Sequence, residues 1–329
     1  MKQISLGFIG LGTEGKLMLN NCLKLKDAKV EAAADLSAKA RSYARRRAIK
    51  NVYERYEDLL KQDSLDAVVI CTPNFLHEEI AVKSAEYGKH VLLEKPLART
   101  VEEGERILSA AAKNNVKLMV GYDMRFEPVP SRIHQQIADG YFGDVQIAEA
   151  TNISGGPFSP RSDNVGPVQV PSWWLNRELV GGGALLDLGS HLIDLFLWYF
   201  GEVASAQSYL KYLYRTNLED AATCVLKFKC GTVAVAKAGW FSKGYVESLQ
   251  ICGTAKSASM QLSPQSTSKI FWRGIARKLG HAQVDPRFAE LEHFVGCLQR
   301  DEQPWPSGEE GLQGLKAISL AYSNAQTIG

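Results

Sequence analysis

Ile4-Ser5-Leu6-Gly7-Phe8-Ile9-Gly10-Leu11-Gly12-Thr13-Glu14-Gly15 decides the fold of this chain. Its first six residues read as a buried strand, and the residues from Gly15 to Lys26 as a helix. Between them Gly10, Gly12 and Gly15 hold the G-x-G-x-x-G spacing. Glycines in that frame allow a tight turn and a close backbone approach to a pyrophosphate. The helix start that follows supplies free N–H groups and a positive dipole end. A second strand, Val30–Asp35, ends on a carboxylate twenty residues after Gly15. An acid there accepts the two hydroxyls of an adenosine ribose. A glycine-rich turn without a ligand is the competing reading, and strand, helix and acid together weigh against it.

Outward from this run, strands and helices alternate. Helices are predicted over Ser37–Ile49, His77–Tyr87 and Val101–Asn114, and strands over Ala67–Cys71, His90–Leu93 and Lys117–Val120. This alternation predicts an α/β fold, with a doubly wound parallel sheet over residues 1–121. After Gly121 the pattern changes. A helix near Val129–Asp139 and a strand near Val145–Ile153 precede a Gly-, Pro- and Ser-rich stretch, Ser154–Ser172, that reads as a binding loop. An apolar helix follows from about Gly182 to Tyr199. Five strand-like runs between Ala204 and Leu262, joined by short turns, predict a mostly antiparallel sheet. Two helices, Pro286–Arg300 and Glu309–Thr327, close a second domain expected over 122–329.

Asp35 also bears on which dinucleotide binds. A carboxylate repels a 2′-phosphate and favours NAD. Leu36 stands where an arginine would argue for NADP, while Ser37, Lys39 and Arg41 keep NADP open. Thr72-Pro73-Asn74 and His77 follow the third strand at the same sheet edge, beside the expected place of the inner ribose and nicotinamide. An ordinary strand-to-helix turn is the plainer reading. The expected cofactor contacts are Gly10, Gly12, Thr13, Glu14, Gly15, Asp35, Leu36, Thr72, Pro73, Asn74, His77, Glu94 and Lys95.

Glu94-Lys95-Pro96 ends the His90–Leu93 strand. In an open parallel sheet, ligands lie outside the carboxyl ends of the strands. A lysine there presents a donor whose proton affinity the site can tune. Further on, Asp187 and His191 are four apart, and His191 and Asp194 three apart, within a stretch otherwise apolar. On one helix these three share a face, and a helix apolar elsewhere is buried. The stripe reads as a general acid/base, His191, oriented by Asp187. Two other readings stand beside it: a metal site, for which a further ligand is missing, and a buried histidine satisfied by a carboxylate. Trp173, Trp174, Asn176 and Arg177 precede the stretch, and indole faces pack on sugar rings.

Composition narrows the classes further. With 45% hydrophobic and 22% charged residues and a net charge of +2, nothing points to nucleic acid or an anionic membrane as partner. No leader or spanning segment is read at the start of the chain, and the six cysteines show no C-x-x-C pair. A reduced, cytoplasmic protein without metal is expected.

Taken together these motifs resemble the Gfo/Idh/MocA oxidoreductases, named for glucose–fructose oxidoreductase, inositol dehydrogenase and a rhizopine-catabolism protein. The resemblance rests on Gly10–Gly15, Cys71-Thr72-Pro73-Asn74-Phe75-Leu76-His77, Gly88–Ala98, Gly121-Tyr122-Asp123-Met124-Arg125-Phe126, the Asp187/His191 pair, and the closing stretches 288–298 and 304–322. It implies an N-terminal Rossmann domain, a C-terminal α/β domain with an open, largely antiparallel sheet, and a nicotinamide cofactor between them. It implies that Lys95 bonds the reacting hydroxyl, that His191 is the acid/base and that Asp187 supports it. The substrate class implied is a sugar, inositol or related polyol, read by Lys95, Tyr122, Arg125, Arg161, Trp174, Asn176, Arg177, Asp187 and His191. Family members are commonly homodimers or homotetramers. Two alternatives remain at this stage: a glycosidase-type enzyme with transient hydride transfer, and a non-catalytic cofactor-binding regulator.

Overall fold

The computed structural model describes residues 3–156, 171–214, 217–242, 244–262 and 285–328. By packing, the chain divides into two units. One joins Met1–Phe126 with Val284–Leu312, and the other joins Glu127–Gln283 with Gln313–Gly329.

The first unit is built on six strands: β1 (Ile4–Ile9), β2 (Ala28–Ala34), β3 (Asn51–Tyr53), β4 (Ala67–Ile70), β5 (His90–Glu94) and β6 (Leu118–Gly121). All pair in parallel, in the order β3-β2-β1-β4-β5-β6. The order reverses between β1 and β4, and that is where an open α/β sheet leaves a crevice at its carboxyl edge. Ala67-Val68-Val69-Ile70 is buried along its whole length. An inner strand of a sheet covered on both faces needs such an unbroken apolar run. The crossovers are α1 (Thr13–Cys22), α2 (Ala38–Arg45), α3 (Tyr56–Leu60), α4 (His77–Glu86) and α5 (Val101–Lys113). Leu6, Phe8, Met18 and Leu19 are fully buried in the core beneath α1. Each such side chain contributes about 1.5–3 kcal/mol.

The second unit carries α6 (Pro128–Ala138), β7 (Val145–Ile153), α7 (Arg177–Val180), α8 (Ala184–Asp187), α9 (Gly189–Phe200), β8 (Val203–Lys211), β9 (Ala221–Phe228), β10 (Val233–Gly239), β11 (Val246–Gly253) and β12 (Ser257–Gln261). Two helices follow, α10 (Pro286–Arg300) and α11 (Gly308–Ser323), and a short strand, β13 (Ala325–Thr327). The sheet order is β12-β11-β7-β10-β9-β8-β13, with β10 parallel to β7 and β13 parallel to β8, the rest antiparallel. Along β9, Ala222, Cys224, Leu226 and Phe228 are buried and the residues between them are less so. That alternation marks a sheet with one covered face. The α/β reading and the two sheet types expected from the sequence are what the structure has.

Three details differ from the sequence reading. Pro286–Arg300, expected in the second domain, packs as α10 on α1 and β1, so the first unit takes back a late segment. The helix expected from Gly182 to Tyr199 is broken: α8 stops at Asp187, α9 starts at Gly189, and the axis bends by 54° from Arg177–Asp187 to Gly189–Phe200. Ser190 Oγ bonds Asp187 O at 2.9 Å, taking up the carbonyl that a continuous helix would offer to the next turn. The tail of the helix expected to run to Thr327 is strand β13, which closes the sheet edge beside β8. Among the described residues no single helix is long and apolar enough to cross a membrane.

Candidate active site

The glycine loop behaves as three separate devices. Gly10 has φ +87°, and a Cβ there would lie 2.6 Å from Cys71 O. A Cβ on Gly15 would lie 2.0 Å from Gly10 O. These two glycines therefore serve the turn and the packing of α1. Gly12 is different: a Cβ there would meet nothing within 4 Å. It is the N-cap of α1, and no side chain caps that end. The open position over free N–H groups fits a pyrophosphate. Thr13 is exposed beside it, while Glu14 turns to an ion pair with Arg287 on α10.

At the end of β2, Asp35 is held from two sides. Its Oδ2 accepts from Leu11 N at 2.6 Å and its Oδ1 from Ser37 N at 2.7 Å. Arg41 is committed elsewhere, donating to Asp35 O and Leu36 O and pairing with Glu54. Leu36 is 77% exposed, the most open of the large apolar side chains among the described residues. The loop, the acid and the apolar side chain all belong to the β1–β2 edge, so the residues present fit a dinucleotide.

Past β4, Pro73 and Asn74 are half-buried, and Thr72 Oγ1 is enclosed without a partner. His77 opens α4 and is buried. Its Nδ1 lies 2.9 Å from Pro96 O and its Nε2 3.1 Å from Thr72 O. One ring thus sits between the loop after β4 and the loop after β5, its neutral form donating to one of the two carbonyls. Burial holds the imidazole below its ordinary 6.5, against the pull of those carbonyls. Glu94 ends β5, and its Oε2 accepts from Lys95 N at 3.2 Å. The Lys95–Pro96 peptide is cis. Enclosure and the charges of Glu14 and Asp123 raise the Glu94 carboxyl, with Lys95 and Arg287 opposing. Tyr122 and Arg125, expected to read the substrate, are buried, and Arg125 pairs with Glu310 at 2.5 Å.

In the second unit, Asp187 and His191 lie on either side of the break at Leu188, so the expectation of one continuous helix face is corrected. Asp187 Oδ2 accepts from Trp240 Nε1 at 3.1 Å. The Trp240 ring stands 5.0 Å from that of Trp174, and Trp173 and Trp174 pack on the same apolar cluster as Trp240. Asn176 caps α7 through Oδ1 on Glu178 N at 3.0 Å. Arg177 bonds Asn217 O at 3.2 Å and lies over the Tyr322 ring. Asp194 is buried. Arg161 and most of the expected binding loop, 157–170, fall outside the described residues.

The start of α8 is clamped by residues the sequence reading did not single out. Glu219 Oε1 accepts from Gly183 N at 2.9 Å, Leu185 N at 3.1 Å and Tyr322 Oη at 2.6 Å. A Cβ on Gly182 would fall 2.3 Å from Tyr322 Oη, and one on Gly183 2.2 Å from Glu219 O. The run Gly181-Gly182-Gly183 signals this close approach. Trp240 carried no such signal, standing 53 residues from its partner. Among the described residues no group of three His, Cys, Asp or Glu side chains is placed to hold a metal ion.

Residues 4–122 match the oxidoreductase family model with the NAD-binding Rossmann fold, and residues 131–259 match the Gfo/Idh/MocA C-terminal domain. The chain belongs to the Gfo/Idh/MocA oxidoreductase family. It is similar to an uncharacterised oxidoreductase of Bacillus subtilis, YrbE, at 28% identity over 98% of this chain and 94% of that protein. It is also 28% identical to an NADP(+) D-xylose 1-dehydrogenase of Haloarcula marismortui, over 90% of this chain and 81% of that one. A scyllo-inositol dehydrogenase of Lactobacillus casei, solved with NAD(H) and scyllo-inositol, shares the fold with a TM-score of 0.80 at 22% identity, covering 98% and 97% of the two chains. The chain is an NAD(P)-dependent oxidoreductase of this family, with its nucleotide-binding Rossmann domain in the first unit.

Proposed function

We propose that the protein transfers a hydride between nicotinamide and a secondary hydroxyl or carbonyl carbon of a sugar, inositol or related polyol. The observation that carries this reading is the Lys95 corner. A lysine stands at a strand end of a dinucleotide-binding sheet, its backbone N–H held by Glu94 Oε2 and its neighbour Pro96 O held by His77. The bound nicotinamide supplies the hydride acceptor or donor. Lys95 hydrogen-bonds the reacting oxygen, and His191 takes or returns its proton. Asp187 supports His191, and the Trp240 N–H on Asp187 Oδ2 fixes which carboxylate oxygen is left for that work. Trp174 offers the sugar an apolar face. The relatives that act on D-xylose and scyllo-inositol support the substrate class.

NAD is the proposed cofactor. The Asp35 carboxylate stands where a 2′-phosphate would bring charge, and Arg41 is already spent on two carbonyls and Glu54. Leu36 would lie against the adenine. The test is absorbance of reduced nicotinamide with a panel of pentoses, hexoses and inositols, run with NAD and with NADP. Turnover of at least one polyol, faster with NAD at limiting cofactor, supports the reading. Firm binding of NAD with no reaction across the panel would contradict it.

A further inference from the structure

Glu219 takes no part in the chemistry proposed above, yet it is fully enclosed in the second unit, at 0% exposure. It sits just before β9, and three successive backbone N–H groups end on it. Gly183 N and Leu185 N donate to its Oε1 at 2.9 and 3.1 Å, and Ala184 N donates to Glu219 O at 2.9 Å. These groups open α8, where no bond within the helix can satisfy them. Tyr322 Oη, on α11, donates to the same Oε1 at 2.6 Å, and Arg177 stands 4.0 Å from Oε2. A carboxylate in a dry interior is costly unless donors of this kind surround it.

The turn so held carries Asp187 at its other end. Asp187 N bonds Gly183 O at 3.0 Å, so the peptide chain that Glu219 grips is the one from which Asp187 hangs. The next residue, Asp220, reaches Asp187 by a second route. Its carbonyl accepts from Trp240 N at 2.7 Å, extending the β9–β10 pairing, and Trp240 Nε1 bonds Asp187 Oδ2 at 3.1 Å. Two adjacent residues, Glu219 and Asp220, thus fix Asp187 at its backbone and at its carboxylate. The first route has little slack. A Cβ on Gly183 would lie 2.2 Å from Glu219 O, and one on Gly182 2.3 Å from Tyr322 Oη.

We propose that Glu219 is a positioning residue for the reaction: its carboxylate fixes the first turn of α8 and so sets where the Asp187 carboxylate stands for its work on His191. The proposal rests on the reading of His191 as acid/base and Asp187 as its support. Glu219 touches neither substrate nor cofactor on this account, and it exchanges no proton. The requirement is reach rather than charge. An aspartate in its place keeps the charge but falls about 1.5 Å short of the N–H groups. A glutamine keeps the acceptor oxygen in place and gives up the charge.

Kinetics with the polyol that the panel above identifies test this, with a melting curve for each variant. Glu219→Gln should keep most of the wild-type kcat. Glu219→Asp should lose about tenfold or more, the scale of a displacement of about 1 Å at reacting groups. The KM for cofactor should stay within about twofold in both, because the proposed dinucleotide contacts lie in the first unit. A double-variant cycle separates positioning from a merely structural role. In an Asp187→Asn background, Glu219→Asp should change kcat by less than about twofold, because an effect that runs through Asp187 has nothing left to act on. Should Glu219→Asp melt below the assay temperature, Tyr322→Phe enters the same cycle. It deletes one donor on Oε1, and its smaller loss, about threefold, should likewise vanish without Asp187. A loss that persists in the Asp187→Asn background would overturn the proposal, and so would a higher kcat in Glu219→Asp than in Glu219→Gln. Failure of the underlying reading shows elsewhere: wild-type kcat in Asp187→Asn alone would mean that Asp187 supports nothing, and the proposal would fall with it.

Discussion

His77 Nδ1 lies 2.9 Å from Pro96 O, and the other nitrogen of the same ring lies 3.1 Å from Thr72 O. The loops after β4 and β5 carry the residues proposed to face the nicotinamide and the substrate. One buried ring spans them.

Replacing His77 with Ala strands the carbonyl that its single N–H satisfies and empties the space between the two loops. The lost buried partner costs about 1–3 kcal/mol. Melting temperature should fall, and kcat should fall with it, because the Lys95 corner loses a tether. Thermal melting and steady-state rates check this; an unchanged melting point would show that the ring holds nothing.

The glycines of the first loop separate folding from binding. Gly15→Ala places a methyl 2.0 Å from Gly10 O and should cost about 1–3 kcal/mol of stability. Gly12→Ala meets no protein atom within 4 Å, so its melting point should stay at the wild-type value while dinucleotide affinity drops. Calorimetric titration with NAD beside a melting curve distinguishes them. Wild-type affinity in Gly12→Ala would remove the pyrophosphate from that position.

Trp240→Phe keeps the ring against Trp174 and deletes the N–H on Asp187 Oδ2. A hydrogen bond to a charged group is worth about 1.5–3 kcal/mol, so kcat should fall about tenfold or more. The KM for cofactor should not move. A variant with normal kcat would show that Asp187 needs no holding from that side.

Burial raises Glu290 well above its ordinary 4.5. An acid raised in the folded state binds more protons there than in the unfolded chain, so its contribution is complete below 4.5 and is lost as pH rises toward the folded value. Stability should therefore decline from mildly acidic toward alkaline pH, by up to about 1.4 kcal/mol per pH unit for each proton released. Glu290→Gln removes one titrating group and should flatten that decline. Denaturant melts at a series of pH values read the slope; equal slopes in the two proteins would place the titration elsewhere.

Much of this is legible in the sequence. Ile4–Ile9, Val145–Ile153, Ala221–Phe228 and Pro286–Arg300 have the bounds their hydrophobic patterns announce. Glycine spacing and the strand–helix alternation announced the NAD-binding Rossmann domain that residues 4–122 match. What stayed hidden depends on partners distant in sequence. The break at Leu188 turns on Ser190 capturing Asp187 O, where the apolar pattern runs on without a gap. Glu219 and Tyr322 meet α8 from 36 residues away and from the last helix. No motif singles out Glu290, yet it is fully buried on α10, which packs against α1 and β1. Periodicity reports which face is apolar, and it is silent on which acid is buried.

The central claim is that Lys95 and His191 handle the proton of one hydride transfer. The direct measurement is turnover of the best polyol by wild type, Lys95→Ala and His191→Ala, each with its NAD affinity measured in parallel. The account predicts that both variants still bind NAD and lose at least about a hundredfold in kcat, the scale of a positioned acid or base. Wild-type turnover in both variants would contradict it.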